Sequence, residues 1–358
     1  MLLPVLLLIA TNQADTVALT ERICANCTIT LERVAVLGDN DGPGALTYGT
    51  VLAVDARRRF LLAHRGAPGM FSVYGPNGRF LRTVGRSGSG PGEYTRVWNM
   101  SSSARGILVY DDLSRRSTVL DLDFNVVATR SAQERPESVI FRNDGSAILS
   151  AVVPTTDAIG FTLHEISPKG ERVRSFAAPP LPYREDMRDL FVRVLNAGSD
   201  SDTYWVAHRR EYAFERCAFG SEECRVFLRA ANWFSAPSAR DFARRNMAED
   251  PPSPSLVGVC QDPDDDRYAW AVLIVSDPRW RTAIKPVNAT EYEIVDPDRY
   301  YDSIIERIDL RTHEVVSSTR VDGRLYKFVA PGVLSRYTED PAGIPRLEVL
   351  RLRAGHTR

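Results

Sequence analysis

A hairpin pattern recurs along this chain at nearly constant spacing, and this recurrence limits the fold more than any other feature. Each copy has an apolar run, a short turn that contains glycine or asparagine, and a second apolar run, which is typical of a β-hairpin. The turns lie near residues 78, 125, 170, 220, 313 and 355, so successive turns are 47, 45, 50, 93 and 42 residues apart. Further apolar runs precede each hairpin. A period of this length with room for four strands predicts a repeat architecture.

The fold class that follows is all-β, a six-bladed β-propeller with one four-stranded blade in each period. The last hairpin ends close to residue 358, so its blade lacks a fourth strand. The orphan strand Ile29–Leu37 has the same position before a Gly-Pro-Gly loop as the fourth strand Phe80–Val84. We expect it to pair into the last blade and close the ring, which removes exposed sheet edges. A seventh, degenerate blade and two separate β domains are the alternatives.

The 93-residue step contains two insertions. Ser235–Met247 has helical spacing and a Ser/Pro start, and it runs into the breaker Asp250–Pro254, which predicts a short helix near 236–248. Asp277–Arg299 is rich in proline and charge and predicts a loop. We expect the segments Ser235–Pro254 and Asp277–Arg299 to shape a site.

The first residues, Met1–Ala10, are almost entirely apolar and are followed by polar residues. The run is too short to span a bilayer and fits the apolar region of an export signal, with cleavage near Ala14 or Ala18. A buried first strand is the alternative. We therefore expect an export signal over 1–18, a single propeller domain over 24–358, and a periplasmic or extracellular protein.

Five cysteines, Cys24, Cys27, Cys217, Cys224 and Cys260, fit two disulfides and one free thiol in an exported protein. The CxxC pair lies at the chain start and does not open a helix after a strand, which argues against thioredoxin chemistry. The spacing of the second pair, with no histidine close by, argues against zinc. We expect a terminal bridge Cys24–Cys27 and a hairpin bridge Cys217–Cys224.

Composition narrows the set of partners. The net charge of −1 provides no general basic field for nucleic acid, and no segment predicts a membrane span. We expect a monomer that binds a small ligand or a protein.

The glycine-rich stretch Gly85–Tyr94 connects two apolar runs, and a weaker copy, Gly38–Leu46, precedes it. The two Gly-Pro-Gly triplets are 48 residues apart. Glycine and proline in this density require a tight turn with special backbone angles. With the strands before it, this segment resembles the NHL repeat family, and the match is carried by Val54-Asp55, Val73-Tyr74, Gly78, Phe80-Leu81, Gly85, Gly88, Gly90-Pro91-Gly92-Glu93 and Tyr94.

The match is good over this one repeat and weak over the other five. The chain departs from the NHL pattern at Tyr74, where an acidic residue is usual, and at His64, whereas Asp111 keeps the expected aspartate in the next repeat. The whole chain looks similar to exported bacterial six-bladed propellers of unassigned function. The resemblance implies the fold, but propellers host both binding modules and enzymes.

In a propeller, the first strand of each blade lines the central channel, and the loops at one end form the usual binding face. The Gly-Pro-Gly loops belong to that end. The ligand-binding candidates are therefore Glu93, Tyr94 and Arg96 in the loop, and His64, Asp111 and His208 at the ends of second strands. Packing and hydrogen bonding within the loop explain Glu93 and Tyr94 better than ligand contact does, because the turn itself accounts for the pattern.

Histidine and carboxylate at such positions suit zinc, and the acidic turns Asp39–Asp41 and Asp262–Asp266 could bind calcium. Solvated hairpin turns explain the acidic runs without a metal, so the expectation is no cofactor. No nucleophile elbow, P-loop or HExxH motif is present. The sequence favours a non-enzymatic, exported binding scaffold. The alternatives are a metal-dependent hydrolase or lyase of the lactonase or peptidyl-amidating type, and a structural module in a surface complex.

Overall fold

The computed structural model describes residues 15–46, 50–64, 69–132, 134–153, 155, 158–177, 191–198, 200, 202–221, 223–235, 246–288 and 291–356, without the side chains of Thr50 and His64. These residues form short strands joined by turns, and the arrangement is all-β and propeller-like. No helix in the described ranges is long and apolar enough to cross a membrane.

The first two strands are β1 (Thr16–Glu21) and β2 (Cys27–Leu37). The others follow in chain order: β3 (Thr50–Val54), β4 (Phe60–His64), β5 (Met70–Tyr74), β6 (Phe80–Ser87), β7 (Glu93–Tyr94), β8 (Val97–Ser102), β9 (Ile107–Asp111), β10 (Arg116–Leu120), β11 (Val126–Ser131), β12 (Ser138–Phe141), β13 (Ala147–Ser150), β14 (Leu163–Ile166), β15 (Arg172–Phe176), β16 (Arg193–Ala197), β17 (Thr203–His208), β18 (Ala213–Ala218), β19 (Cys224–Arg229), β20 (Ser255–Gln261), β21 (Tyr268–Ser276), β22 (Ile284–Pro286), β23 (Tyr292–Ile294), β24 (Tyr301–Asp309), β25 (Glu314–Asp322), β26 (Leu325–Ala330), β27 (Val333–Glu339) and β28 (Pro345–His356).

Antiparallel meanders account for nearly all of the pairing. The strand orders are β3-β4-β5-β6-β7, β8-β9-β10-β11, β12-β13-β14-β15 and β26-β27-β28-β2, together with one nine-stranded sheet. That sheet contains the meanders β16-β17-β18-β19 and β20-β21-β24-β25, with β1 between their outer strands. The first strands contact one another in a closed cycle, β3 to β8, β12, β16, β20, β26 and back to β3.

Burial explains why the second strands of several meanders are strongly apolar. All five residues of β9 and seven of the nine in β21 are buried, because both faces of such a strand meet a neighbouring meander. The outer strand β11 instead alternates between exposed and half-buried residues. The main core clusters accordingly lie between consecutive meanders, and one of them joins β2 and β28 to β3, β4 and β5.

The strand expected near Ile29–Leu37 is β2, and it pairs antiparallel with β28 along its length, from Cys27 opposite His356 to Leu37 opposite Leu347. The predicted pairing of the N-terminal strand with the last hairpin is therefore confirmed. Strand β2 therefore completes the last meander as its fourth, outer strand.

Strand β1 lies ahead of Cys24, where we expected the propeller domain to begin. It pairs in parallel with β19, from Thr16 opposite Val226, and with β25, from Thr20 opposite Glu314. Val17 and Leu19 are buried in the core between these meanders. Half-buried alternation over only six residues gave a weak signal next to an apolar leader, so the sequence did not reveal this strand.

The predicted helix near 236–248 lies outside the described residues except for 246–248, which form a turn. The second insertion is more ordered than the loop we expected. It contains a 3₁₀ turn at Trp280–Ala283, the hairpin β22–β23 and a four-residue helix, α1 (Pro297–Tyr300). Trp280, Ala283 and Tyr300 form a small core of their own, against which Met247 packs.

Candidate functional site

A cavity of about 350 Å³ lies among the first strands of the meanders. Its walls include the first residues of β12, β16 and β20, which are Ser138, Arg193 and Ser255, and Arg324 immediately before β26. The cavity is therefore at the end of the channel where the chain enters each first strand. This is also the end that carries the Gly-Pro-Gly loops, which was the binding face expected from the sequence.

Side-chain hydrogen bonds hold first strands against the neighbouring meanders around the cavity. The hydroxyl of Ser138 on β12 accepts a hydrogen bond from the backbone N–H of Leu195 on β16, at 3.0 Å. Ser303 on β24 accepts one from the backbone N–H of Leu325 on β26, at 2.8 Å. Because each of these hydroxyls is buried and paired, the strand ends that line the cavity are fixed by the fold.

The cavity wall carries more positive than negative charge. Arg193, Arg209, Arg324 and Lys327 line it together with one carboxylate, Glu137. The rest of the wall is mostly apolar or hydroxyl-bearing, from residues such as Leu256, Val257, Val329 and Ser335. A concave, largely apolar pocket with a few convergent polar groups is the usual form of a small-molecule site.

Arg193 interacts with two acidic residues that do not line the cavity, the half-buried Glu215 and the 55% exposed Glu211. Burial lowers the pKa of Arg193, and the charges of Glu215 and Glu211 oppose this shift. Burial alone would raise the pKa of Glu215, but a hydrogen bond with His208 and the charge of Arg193 bring it below its usual range. His208 lies with Nε2 2.6 Å from Glu215 Oε1 and Nδ1 3.3 Å from Glu211 Oε2. The two acidic residues hold a positive charge at the cavity wall.

Arg324 is held differently, by aromatic rings. Its guanidinium carbon lies 5.0 Å from the ring centre of Tyr301 and 4.9 Å from that of Tyr326. Such cation–π contacts orient the guanidinium by its faces. Tyr301 begins the strand that follows the second insertion, so this insertion ends next to a residue that contacts Arg324.

The two insertions meet at this end of the molecule. Arg281 Nη2 in the second donates a hydrogen bond to the backbone oxygen of Glu249 in the first, at 2.9 Å, and Met247 packs on the small core around Trp280. None of the described residues of Ser235–Pro254 and Asp277–Arg299 lines the cavity, so the expectation that these segments shape a site stays a prediction.

The predicted site residues in the glycine-rich loop are engaged within that loop. Glu93 Oε2 accepts a hydrogen bond from the backbone N–H of Gly90 at 2.8 Å, and Glu93 Oε1 pairs with Arg86 at 2.6 Å. Tyr94 is buried, and its ring fills the space where a side chain at Gly85, which has φ +86°, would collide with it at 2.8 Å. None of these residues lines the cavity.

Asp111 and Arg96 fix the same connection. Asp111 accepts hydrogen bonds from the backbone N–H groups of Thr95 at 2.6 Å and Arg96 at 3.2 Å. Arg96 pairs with Asp112 and lies over Trp98, which Arg135 covers from 3.6 Å. Like Glu93, these groups have structural contacts, and they do not line the cavity.

Of the histidine candidates, His64 ends β4, and its side chain lies outside what the structure describes. His208 is buried and does not line the cavity. It contacts Glu211 and Glu215, the two acidic residues that interact with Arg193. The structure thus brings one predicted residue, His208, next to the cavity and leaves the other described candidates in the loops. The cavity-lining Arg193, Arg209, Arg324 and Lys327 were not among the predicted residues.

The acidic turns make protein contacts. Asp262 pairs with Arg307 at 2.8 Å and Asp264 with Arg353 at 2.9 Å. In the Asp39–Asp41 turn, Asn40 accepts a hydrogen bond from Arg346 at 2.5 Å. Asn40 and Asp264 are exposed, as expected of solvated turns, whereas Asp262 is buried and its carboxylate belongs to an ion pair.

Both predicted disulfides are present, Cys24–Cys27 and Cys217–Cys224, and Cys260 is a buried free thiol. Among the described residues, the groups of three potential metal ligands within reach of one another each contain one of these bridges. Their sulfur atoms are already bonded to each other, so these groups offer no thiolate ligands.

No family model matches the chain, and no curated protein matches its sequence. Its structure is similar to that of a member of the DUF4221 family from Bacteroides vulgatus, with a TM-score of 0.62 and 8% identity over 93% of this chain and 99% of that chain. It is also similar to a putative exported protein from Bacteroides fragilis, with a TM-score of 0.60 and 10% identity over 94% of this chain and 99% of that chain. At such identities the similarity concerns the fold alone.

Proposed function

We propose that this protein is an exported six-bladed β-propeller, related to NHL-repeat propellers, that binds a small ligand at the mouth of its central channel without catalysing a reaction. The observation that carries the proposal is the cavity of about 350 Å³ among the first strands, with polar groups from four meanders converging on apolar walls. Its volume is within the range of small-molecule sites.

Six blades in one ring are supported by two kinds of contact. The first strands touch in a closed cycle of six, and the core clusters lie between consecutive meanders, with one uniting the last meander with the first. A central channel is the natural result of such a cycle, since only the first strands approach its axis.

Export is supported by the two disulfides, which persist in oxidising compartments, and by the apolar N-terminal run of the sequence. The Bacteroides fragilis structure of similar fold is described as a putative exported protein. A periplasmic or extracellular location is part of this proposal.

The alternative of a metal-dependent hydrolase or lyase has no specific observation in its favour. The described residues at the cavity wall are cations, hydroxyls and apolar groups with a single carboxylate, Glu137. That set lacks the several oxygen or imidazole ligands that calcium and zinc prefer.

The proposal is tested by a fragment screen with ligand-observed NMR on three proteins. Val257→Trp fills the cavity from a half-buried position on its wall. Val173→Trp is the matched control, because it adds the same ring to an outer strand at a valine that is 63% exposed. We expect fragments that bind the wild type and Val173→Trp and lose binding in Val257→Trp; Val329→Trp, also at the wall, should behave like Val257→Trp. Binding that is unaffected by both cavity substitutions would contradict the proposal.

A further inference from the structure

The charge of the cavity wall points to the class of ligand, given the binding function proposed above. Four side chains at the wall are cationic, whereas Glu137 is the one carboxylate among the wall residues that the structure describes. This excess occurs in a chain whose net charge is −1, so it reflects local placement and not overall composition. Low-dielectric walls strengthen such a field, because charge interactions are weakly screened away from bulk water.

Arg324 provides the strongest individual evidence for an anionic ligand. Within the described part of the chain, no carboxylate lies at ion-pair distance from its guanidinium, and no oxygen accepts a hydrogen bond from it; its side-chain contacts are the rings of Tyr301 and Tyr326. Aromatic rings occupy the faces of a guanidinium and leave its N–H edges available, and these edges match carboxylate and phosphate oxygens in a bidentate geometry.

Asp298 is an acidic residue that contacts the backbone of Arg324. Burial raises the pKa of Asp298 above its usual range, against a hydrogen bond from the backbone N–H of Arg324. Asp298 is in helix α1 and does not line the cavity. A ligand in the cavity therefore meets the cation before it meets this carboxyl group.

The second cation, Arg193, faces the cavity with its compensating carboxylates behind it. Glu211 lies in the turn between the second and third strands of that meander, Glu215 lies on the third strand, and neither lines the cavity. Arg209 and Lys327 line the wall as well, and each also has contacts within the protein. Arg209 and Lys327 contribute positive charge to the cavity wall even though they have these contacts.

The two sides of the cavity are close enough for one ligand to reach both. Strand β16 begins with Arg193, and strand β26 follows Arg324. These two strands contact each other, although β20 lies between them in the cycle of first strands. The apolar residues Leu256 and Val257 of β20 form the wall between them.

We infer that the ligand is a small organic anion with two acidic groups on an apolar body, bound between Arg324 and the Arg193 side of the cavity. This inference rests on the proposed binding function. Carboxylate and phosphate share the recognition chemistry described here, and the experiment separates them.

The test is isothermal titration calorimetry with adipate, adipamide and hexane-1,6-diamine, which have equal chain length, and with butane-1,4-diol bisphosphate as the phosphate probe. We expect binding of adipate or the bisphosphate, weaker binding of adipamide and none of the diamine. Affinity for the anion should fall as ionic strength rises. Whichever anion binds more tightly identifies carboxylate or phosphate as the preferred group.

Arg324→Gln is expected to weaken the affinity for the anion by about tenfold to a hundredfold, the usual effect of a lost hydrogen bond to a charged group. The affinity of Arg324→Lys should lie between those of the wild type and Arg324→Gln, because lysine keeps the charge and loses the bidentate edge. Arg82→Gln is the matched control, since Arg82 lies over the ring of Phe124, 5.7 Å from its centre, and is not a wall residue. Lys327→Gln provides a second wall variant if Arg324→Gln does not fold.

Two results would overturn the inference. If the anions bind no more tightly than adipamide, or if Arg324→Gln and Lys327→Gln both bind like the wild type, the ligand class is wrong. Should adipamide or the diamine bind in a way that Val257→Trp abolishes, the cavity is still a ligand site and only its anion preference fails. If no probe binds and the fragment screen finds no fragment lost in Val257→Trp, the proposed function fails too.

Discussion

Replacement of Arg229 by methionine should destabilise the protein strongly, because Arg229 neutralises a buried carboxylate between two meanders. Its side chain is 4% exposed, and its Nη2 lies 2.9 Å from Oε1 of Glu306, which is 1% exposed. The hydroxyl of Tyr212 donates a hydrogen bond to the other oxygen of Glu306. The same Nη2 lies 2.8 Å from Glu21 at the end of β1, whose side chain is 60% exposed.

The exposed fractions of these side chains determine how much stability each substitution should cost. Removal of one partner of a buried ion pair leaves an uncompensated charge and costs about 3–5 kcal/mol. Loss of the exposed partner, in Glu21→Gln, should cost less than about 1 kcal/mol. With an unfolding entropy of about 2.1 cal/mol/K per residue, Arg229→Met should lower the melting temperature of a chain of this length by about 4–7 °C. The double replacement of Arg229 and Glu306 by methionine should recover much of this loss, since no buried charge remains.

The assay is thermal unfolding followed by circular dichroism as a function of pH. Burial raises the pKa of Glu306 and the charge of Arg229 lowers it. When the pKa of a carboxyl group is higher in the folded state than in the unfolded state, stability falls as the pH rises through the interval between the two values. Without Arg229 the folded pKa rises further, so Arg229→Met should be most destabilised above neutral pH and recover as the pH falls toward 4.

The reasoning would be refuted by an Arg229→Met variant that melts with the wild type, or by Glu21→Gln being equally destabilised. A loss of stability that is independent of pH would show that packing, and not the buried charge of Glu306, determines the effect. Glu306→Gln is the control for pH dependence, because it keeps the shape of the side chain without an ionisable group.

Three further predictions concern the disulfide, the N-terminus and the glycine-rich loop. Replacing Cys217 and Cys224 by serine should cost about 2–3 kcal/mol for a loop with a separation of seven residues, measured by denaturant unfolding against the oxidised wild type; an unchanged midpoint would contradict this. The exported protein should begin at Asp15, because cleavage after Ala18 would remove Thr16, Val17 and Ala18 from their pairing with β19. The intact mass of the protein after export distinguishes cleavage after Ala14 from cleavage after Ala18. Glu93→Gln should speed hydrogen exchange at the amide of Gly90, because the hydrogen bond from this amide, which lowers the pKa of Glu93, is weakened. The same substitution should leave the affinity for adipate within about twofold of the wild type, since the side chain of Glu93 lies outside the polar contacts of the site. A larger loss of affinity would place Glu93 in the site.

The meander architecture could be predicted because its signals are local. Each hairpin carries its own turn residues and apolar alternation, as in the segment from Met70 to Val84, where Gly78 takes a positive φ of 85°. The pairing of β2 with β28 followed from counting strands, since the last hairpin lacked a partner. Strand β1 was missed because parallel pairing with two outer strands leaves no hairpin signal in the sequence.

The site could be predicted only in part, because its residues are distant in sequence. Arg193 and Arg324 are 131 positions apart and meet through the cycle of first strands. Each is a single cation at the start of an apolar strand, a pattern that an exposed strand end shows equally well. That position, repeated in more than one period, is the signal that could have identified them.

The loop candidates failed to reach the cavity for a physical reason. A glycine-rich connection must satisfy its own backbone groups, and Glu93 and Asp111 do this for the amides of Gly90 and Thr95. Their presence in the repeat pattern is explained by the turn. His208 came closer to the site because the end of its strand lies opposite Arg193 in the sheet.

The most direct test of ligand binding at the channel mouth is a crystal structure of the protein grown with adipate. The account predicts electron density for adipate in the cavity among β16, β20 and β26, with a carboxylate at the guanidinium of Arg324, and none in crystals of Val257→Trp grown in the same way. Adipate bound only at other surfaces, or a cavity filled by the protein's own side chains in the wild type, would contradict the account.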